Sequence, residues 1–359
     1  MTSNKLRVGV LFGGRSGEHE VSLVSAASVM QAMDRTKYEV VPIGITKHGV
    51  WLKGTDAEAL LKNKYAGKAT RALEGMEAAL FGKPLDVIFP VLHGTFGEDG
   101  TMQGLLELAD VAYVGSGVLG SSAGMDKGIM KRMFADSRLP LVKHVEVMRY
   151  EWEQDPKKVE KLVHSALKYP VFVKPANLGS SVGISKAHDE NELPAAITEA
   201  AKFDRKIIIE QGVGGKRHKA REIECAVLGN DAPIASICGE IVPAKEFYDY
   251  DAKYNDAASE LLIPAKLDHT QMRQVQEMAI RAFQSVECAG LARVDFLMDP
   301  LTSHFYLNEV NTMPGFTSIS MYPKLWAASG VEYPELIDRL IQLAQERHAD
   351  KKRNQYSKN

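Results

Sequence analysis

Cysteine is scarce: Cys225, Cys238 and Cys288 are the only three in 359 residues. They are scattered among apolar neighbours with no CxxC spacing, which excludes a cysteine zinc site and a disulfide framework. An excess of charge of one sign is also missing. The formal net charge is −2, so nothing electrostatic favours a nucleic acid or an anionic membrane as partner. No apolar run approaches the ~20 residues that a spanning helix needs. The start, Met1 to Asn4, is polar and leads into a strand-like run, which is not the pattern of a secretory signal. The expected compartment is the cytoplasm. No GxxxxGK[ST] loop occurs, so any nucleotide must be held by another arrangement. A dinucleotide fingerprint is spelled by Gly115, Gly117 and Gly120 after the strand-like Val111 to Val114. The acid it would need, Asp136, falls inside a helical stripe ending at Pro140 instead of closing a second strand. That reading is rejected.

What is present is ordinary globular composition, 45% hydrophobic and 25% charged, in a chain long enough for two or three domains with real cores. Leu6 to Phe12, Tyr38 to Ile45 and Leu85 to Val91 read as strands. A helix bearing Val21, Val24 and Ala27 follows the first of them, and the alternation describes an open α/β sheet. Ser116 to Ala123, rich in Gly and Ser, reads as a hinge or linker. A helix is expected over Asp126 to Arg138, with Ile129, Met130, Met133 and Phe134 as its apolar stripe. Strands are expected at Val171 to Lys174, Val182 to Ser185, Lys206 to Glu210, Glu222 to Leu228 and Ile234 to Ile241. Helices are expected at Asn191 to Phe203, Thr270 to Cys288 and Pro334 to His348, with a frayed tail over residues 351–359.

The most informative stretch is Ala292 to Phe296 with Tyr306 to Gly315. Both pieces read as strands, joined by a turn at Asp299-Pro300 and Thr302-Ser303. Side chains alternate along a strand, so Arg293 and Asp295 share one face and Glu309 and Asn311 share one face of the partner. Facing each other, they bring three oxygen ligands beside a guanidinium. That suits a hard cation of the Mg²⁺ type, with room left for phosphate oxygens and water. Solvated acids on an alternating strand are the bland alternative, but Val294, Phe296, Leu307 and Val310 imply that the hairpin is half-buried.

Lys174 ends a strand and precedes a loop containing Gly179, Ser180, Ser181 and Gly183. A lysine beside such a loop suits polyphosphate, and a surface loop after an edge strand fits equally well. Lys127 in a helix's first turn runs against the dipole preference, which hints at an anionic partner. Ile207 to Gly214 is an apolar strand entering a glycine-rich connection, able either to offer backbone groups to an adenine edge or simply to leave the sheet. Glu18 lies where the first strand meets its helix, the rim where ligands collect in such sheets. It could meet an ammonium group or merely favour the helix dipole. His93 to Gly100 is a second polar glycine loop at that rim. Glu246 to Tyr254, acidic and aromatic without period, reads as a long lid or binding loop.

Four motifs together resemble the D-alanine–D-alanine ligase family, of the ATP-grasp fold. They are His93-Gly-Thr-Phe-Gly-Glu-Asp-Gly100, Lys174-Pro through Gly-Ser-Ser-Val-Gly183, Tyr248-Asp-Tyr-Asp-Ala-Lys-Tyr254 and Asn308-Glu-Val-Asn-Thr-Met-Pro-Gly315. They fall in family order, and the likeness runs from Leu6 to about Ile341. The resemblance implies an α/β chain of three domains: an N-terminal open α/β sheet domain over 1–120, a central ATP-grasp subdomain over 121–212 and a C-terminal one over 213–350. It implies ligation of two D-alanines with ATP for peptidoglycan precursors, in a homodimer. By the same resemblance Asp295, Glu309 and Asn311 would hold two Mg²⁺ ions, with Mn²⁺ an acceptable substitute. Lys127, Lys174 and Lys253 would neutralise phosphate charge. Glu210, Gln211, Gly212 and Val213 would form the adenine hinge, and Glu222 would meet the ribose. Glu18 would bind the ammonium of the first D-alanine, linked to Ser180 and Tyr254. Arg293 and the Gly315 N–H would form the oxyanion hole, and Ser320 would take the second carboxylate. The chain departs from the family pattern at the longer, basic connection Gly214 to Lys219, and Met321 stands where Leu is common. A D-alanine–D-lactate ligase and a non-catalytic ATP-binding module are the alternatives carried forward.

Overall fold

The computed structural model describes residues 5–65, 67, 84–215, 218–242, 260–317 and 319–356. Three sheets follow one another along the chain. The first joins β1 (Leu6–Gly13), β2 (Tyr38–Ile45), β3 (Trp51–Lys53), β4 (Val87–Val91) and β5 (Ala112–Tyr113) in the order β3-β2-β1-β4-β5. All its pairings are parallel except that of β2 with the edge strand β3. Parallel strands are covered on both faces, which is why β1 and β4 read as unbroken apolar runs instead of alternating. Phe12 pairs with Val91, so the loops that leave β1 and β4 emerge side by side at one rim. Helices α1 (His19–Ala32), α2 (Gly54–Leu61) and α3 (Thr101–Leu108) accompany this sheet.

The second sheet is antiparallel, ordered β6 (His144–Met148), β9 (Lys206–Gln211), β7 (Val171–Pro175) and β8 (Ser185–Ala187). It has its own apolar core with α6 (Arg149–Gln154), α7 (Pro156–Ala166) and α8 (Leu193–Phe203). Asp155 caps α7 by accepting from the Lys158 N–H, and Pro156 starts the helix where no amide donor is needed. The third sheet contains β10 (Arg221–Gly229), β11 (Ile234–Val242), β12 (Glu260–Leu262), β13 (Gly290–Met298) and β14 (Phe305–Asn311), in the order β12-β11-β10-β13-β14. Helix α9 (His269–Ser285), started by an Asp268/Gln271 capping box, covers one face. On the other side α10 (Met321–Ala328) and α11 (Tyr333–Lys351) share a core with the first sheet. Lys37 and Tyr38 bond Asp338 at 2.6 and 2.8 Å, and Arg347 stacks on Tyr113 at 4.2 Å, along that same seam.

Several expectations are corrected. The Gly/Ser-rich Ser116 to Ala123 is no linker: Val118–Met125 is helix α4. Its small residues serve close approach, since a Cβ on Gly120 would lie 2.3 Å from the Glu287 carbonyl oxygen. Helix α1 buries Val21 as expected, together with Leu23, Ala26, Val29 and Met30, while Val24 and Ala27 face outward. On α5 (Lys127–Asp136) Met130 and Phe134 are buried and Ile129 is exposed. The strand expected over Val182 to Ser185 begins only at Ser185. Ser180, Ser181 and Gly183 adopt φ of 52°, 59° and 71°, which keeps the chain turning. Helix α9 stops at Ser285, short of Cys288, because Glu287 turns left-handed with φ 58°. Among the described residues no helix is long and apolar enough to cross a membrane.

Two of the helical glycines should respond in opposite directions. Gly120→Ala must push against backbone and should cost about 1–3 kcal/mol. Gly104→Ala in α3, where an added Cβ meets nothing, should stabilise by about 0.5–1 kcal/mol. Urea unfolding of both variants checks the pair; equal effects would contradict the packing at Glu287.

Candidate active site

The site is built on β13 and β14. Their register sets Arg293 opposite Asn311 and Asp295 opposite Glu309, with a bulge after Asp295. Val294, Phe296 and Met298 point into the core, while Arg293, Asp295 and Leu297 line the half-buried face. The Arg293 Nε and Nη2 donate to the two Asp295 oxygens at 2.7 and 2.7 Å, and Nε lies 3.1 Å from Glu224 Oε2. Asn311 Nδ2 donates to Asp295 Oδ2 at 2.9 Å. Burial works against the guanidinium's charge, but the Asp295 and Glu224 carboxylates outweigh it and hold Arg293 well above its ordinary pKa. Glu224 was not singled out from sequence. It pairs with Asp295 across β10 and β13, on the same face as Glu222. The alternation Glu222-Ile223-Glu224 was the signal that could have found it.

The second sheet supplies the cations. Lys174, at the end of β7, is 8% exposed, and its Nζ lies 2.6 Å from Glu210 Oε2 and 3.3 Å from Asn308 Oδ1. Lys131, a residue the sequence reading passed over, lies 2.5 Å from Glu210 Oε1. Glu210, 3% exposed, therefore sits between two lysines. Burial alone would raise its pKa, but the two ammonium groups lower it well below the usual carboxylate range. For the expected adenine hinge this is a refinement. The Glu210 side chain faces the lysines, and the Gln211 and Gly212 amides already donate to Lys143 O and Pro170 O at 2.9 and 2.8 Å. Lys127, at the start of α5, donates to Leu178 O at 2.9 Å and lies 3.5 Å from Glu309 Oε2. The Asp126 cap before it accepts from Gly128 and Ile129 and meets Lys206 at 2.7 Å.

The rim of the first sheet closes the site. Ser180 donates its hydroxyl to Glu18 Oε1, joining the Gly/Ser loop to the start of α1. Glu98 accepts from the Gly94 N–H at 2.7 Å and, across the interface, from the Met313 N–H at 3.0 Å. His93 Nδ1 donates to Met313 O at 3.1 Å, which leaves Nε2 to accept from Ser25 Oγ at 3.2 Å. Burial lowers the pKa of His93. The turn after β14 is thus held from the first sheet.

Lys127, Lys174, Glu210 to Val213, Glu222, Asp295, Glu309, Asn311 and Ser180 line one cavity of about 210 Å³ between the second and third sheets. Glu18 reaches it through Ser180. Arg293 reaches it through Asp295. Gly315 and Ser320 are not among its lining residues. They lie together on the turn after β14, where Ser320 Oγ accepts from the Thr317 N–H at 3.1 Å and shares a 2.7 Å bond with Thr317 Oγ1. Lys253, Tyr254 and the whole expected lid, Glu246 to Tyr254, lie outside the described residues. In the longer connection, Gly215, His218 and Lys219 reach the cavity wall. Asp295, Glu309 and Asn311 offer oxygen donors only, without thiol or imidazole, which fits a hard divalent cation.

Two family models match, described as the D-ala D-ala ligase N-terminus over residues 7–116 and the D-ala D-ala ligase C-terminus over residues 133–342. The chain is 51% identical over 361 residues to the D-alanine–D-alanine ligase of Heliobacterium modesticaldum, covering 98% of this chain and 97% of that one. It is 52% identical over 364 residues to that of Thermoanaerobacter pseudethanolicus, covering 97% and 98%. Among solved structures it is similar to the D-alanine-D-alanine ligase from Coxiella burnetii, with a TM-score of 0.81, 35% identity and coverage of 98% and 97%. A D-Ala:D-Ser ligase from Enterococcus faecalis matches with a TM-score of 0.81, 35% identity and coverage of 95% and 100%.

Glu98 carries a pH signature. Burial, and after it the charge of Glu18, push its pKa from 4.5 up to about 8. Between those values the folded protein holds a proton that the unfolded chain has released. This contribution to stability is complete below about 4.5 and is lost as pH rises through about 8. The melting temperature of the wild type should therefore fall relative to Glu98→Gln from about pH 5 to about pH 9. A constant difference in thermal melts across that range would mean that Glu98 is ionised throughout.

Proposed function

The chain belongs to the D-alanine–D-alanine ligase family, and from that membership we propose that it joins two molecules of D-alanine with consumption of ATP, supplying a dipeptide for peptidoglycan precursors. The carrying observation is the convergence of Lys127, Lys174, Asp295, Glu309 and Asn311 on one cavity, with Arg293 bonded to Asp295. A carboxylate does not condense with an amine in water without activation. The first D-alanine's carboxylate takes the γ-phosphoryl group of ATP and releases ADP. The second D-alanine's amine then attacks the acyl phosphate, and the tetrahedral oxyanion collapses to the dipeptide and phosphate.

Each step asks something that these residues can do. Phosphoryl transfer needs alignment and charge neutralisation, which Lys127 and Lys174 supply at the cavity wall, with Lys253 joining them by its motif. Asp295, Glu309 and Asn311 would hold Mg²⁺, two ions in this reading, and bound there the metal neutralises and orients the phosphates. Glu18, oriented by Ser180, would receive the first substrate's ammonium. Arg293 and the Gly315 N–H would stabilise the oxyanion as fixed donors. Ser320, at the N-terminus of α10, suits a carboxylate by both its hydroxyl and its place on the helix. The backbone at Gln211 to Val213 would take the adenine and Glu222 the ribose. The segment Glu246 to Tyr254 would exclude water from the acyl phosphate.

The same proposal includes divisions near residues 120 and 212, supported by the succession of three sheets, together with a homodimer and a cytoplasmic location. A D-lactate hydroxyl as second nucleophile gains nothing from relatives that carry the dipeptide ligase name.

Phosphate release on mixing the protein with Mg²⁺, ATP and D-alanine tests the reading, with the dipeptide formed in equal amount. Asp295→Asn should lower turnover by roughly 100-fold or more while the protein stays folded. Wild-type turnover at ordinary Mg²⁺ would remove Asp295 from the site. Specificity at the second substrate gives a separate check. Tyr254→Phe should raise the share of depsipeptide when D-alanine competes with D-lactate, most at lower pH, where the amine is protonated and the hydroxyl is not affected. An unchanged product ratio would leave Tyr254 a packing residue.

A further inference from the structure

Lys131 has no part in the roles assigned above, yet it is 1% exposed, more deeply buried than Lys127 or Lys174. It stands on α5 one helical turn beyond Lys127, behind Lys174 as seen from the cavity, and is not among the residues lining it. Its Nζ lies 2.5 Å from Glu210 Oε1, while Lys174 Nζ lies 2.6 Å from Glu210 Oε2. Lys131 Nζ also donates to Asn308 O at 3.4 Å, and Lys174 Nζ to Asn308 Oδ1 at 3.3 Å. Two cations and one anion share a volume that water scarcely reaches.

Burying ions is costly unless they are paired, and pairing carries a penalty of its own here. Glu210 fixes where the Lys174 ammonium points. A lysine and a glutamate in direct contact, however, form a neutral dipole whose field falls off quickly. Without a third charge, the group that orients Lys174 would also cancel it. A second lysine on the far oxygen of the same carboxylate leaves these three groups with a net single positive charge, set against Glu309 and Glu222 nearby, and low dielectric makes that charge felt at the cavity wall.

We propose that Lys131 is a positioning residue that compensates Glu210 from behind, so that Lys174 keeps its charge for the phosphates of the nucleotide. This rests on the reading of the cavity as the ATP site. Two substitutions separate it from simple packing. Lys131→Met leaves Glu210 facing Lys174 alone and should weaken binding of ADP and of a non-hydrolysable ATP analogue by ~10-fold, equivalent to ~1.4 kcal/mol. Adding Glu210→Gln removes the carboxylate that cancels Lys174 and, although it also loosens the Lys174 ammonium, should recover ~3-fold or more of the lost affinity. Isothermal calorimetry reads the affinities, thermal melting reads stability, and the KM for D-alanine should stay level in both variants. A Lys131→Met protein that is less stable but binds nucleotide as tightly as wild type would reduce Lys131 to a structural partner of Glu210. A double variant that stays ~10-fold weak would overturn the compensation, and this comparison holds even if the single variant does not fold. Wild type failing to bind nucleotide, or Lys174→Ala binding it unchanged, would instead sink the ATP-site reading itself.

Discussion

The pairing register of β13 with β14 is the constraint on which the rest of the site depends. Because side chains alternate with a period of two, a slip of one residue would turn Asp295 and Arg293 into the core and Val294 and Phe296 out to the cavity. Burial of Val294, Phe296, Leu307 and Val310 makes such a slip prohibitive. The apolar half of the hairpin thus fixes where its polar half points. The bulge after Asp295 marks the one place where this regularity is relaxed, directly beside the carboxylate that bonds Arg293.

Charge is balanced in layers behind that face. Glu224 and Asp295 flank Arg293, and Glu210 lies between Lys131 and Lys174. Each buried ion has an opposite neighbour, as ions withdrawn from water require. Lys131 is the one member of the lysine pair that does not border the cavity. A substitution there changes the field at the cavity wall without removing any atom of the lining.

The sequence made much of this legible where local pattern and tertiary demand coincide. Alternation placed Arg293, Asp295, Glu309 and Asn311 on one face, and the glycine turns after β1 and β4 located the rim. It failed where small residues have two uses. Ser116 to Ala123 has the composition of a linker, but its glycines and serines let α4 approach the backbone at Glu287. Local pattern starts a strand at Val182 because nothing in it announces the left-handed serines just before. Lys131 was invisible for another reason: a lysine on a helix is usually solvated, and only the third dimension puts Glu210 behind it. Glu98 was seen as part of a loop, but its hold on the Met313 amide joins residues far apart in the chain, beyond what any local pattern encodes.

The sharing of apolar cores has a mechanical consequence. The first sheet and the helices α10 and α11 bury their side chains in one cluster, whereas the second sheet and its helices α6 to α8 form a cluster of their own. The two ends of the chain are therefore welded into one cooperative unit, and the middle third is a separate foldon tied to it mainly through polar links such as Lys127 to Leu178 and Lys206 to Asp126. An opening confined to that third would let amide hydrogens in β7 and β9 exchange while β1 stays closed. The cavity sits on the boundary between the two units, so its walls belong to separate cores.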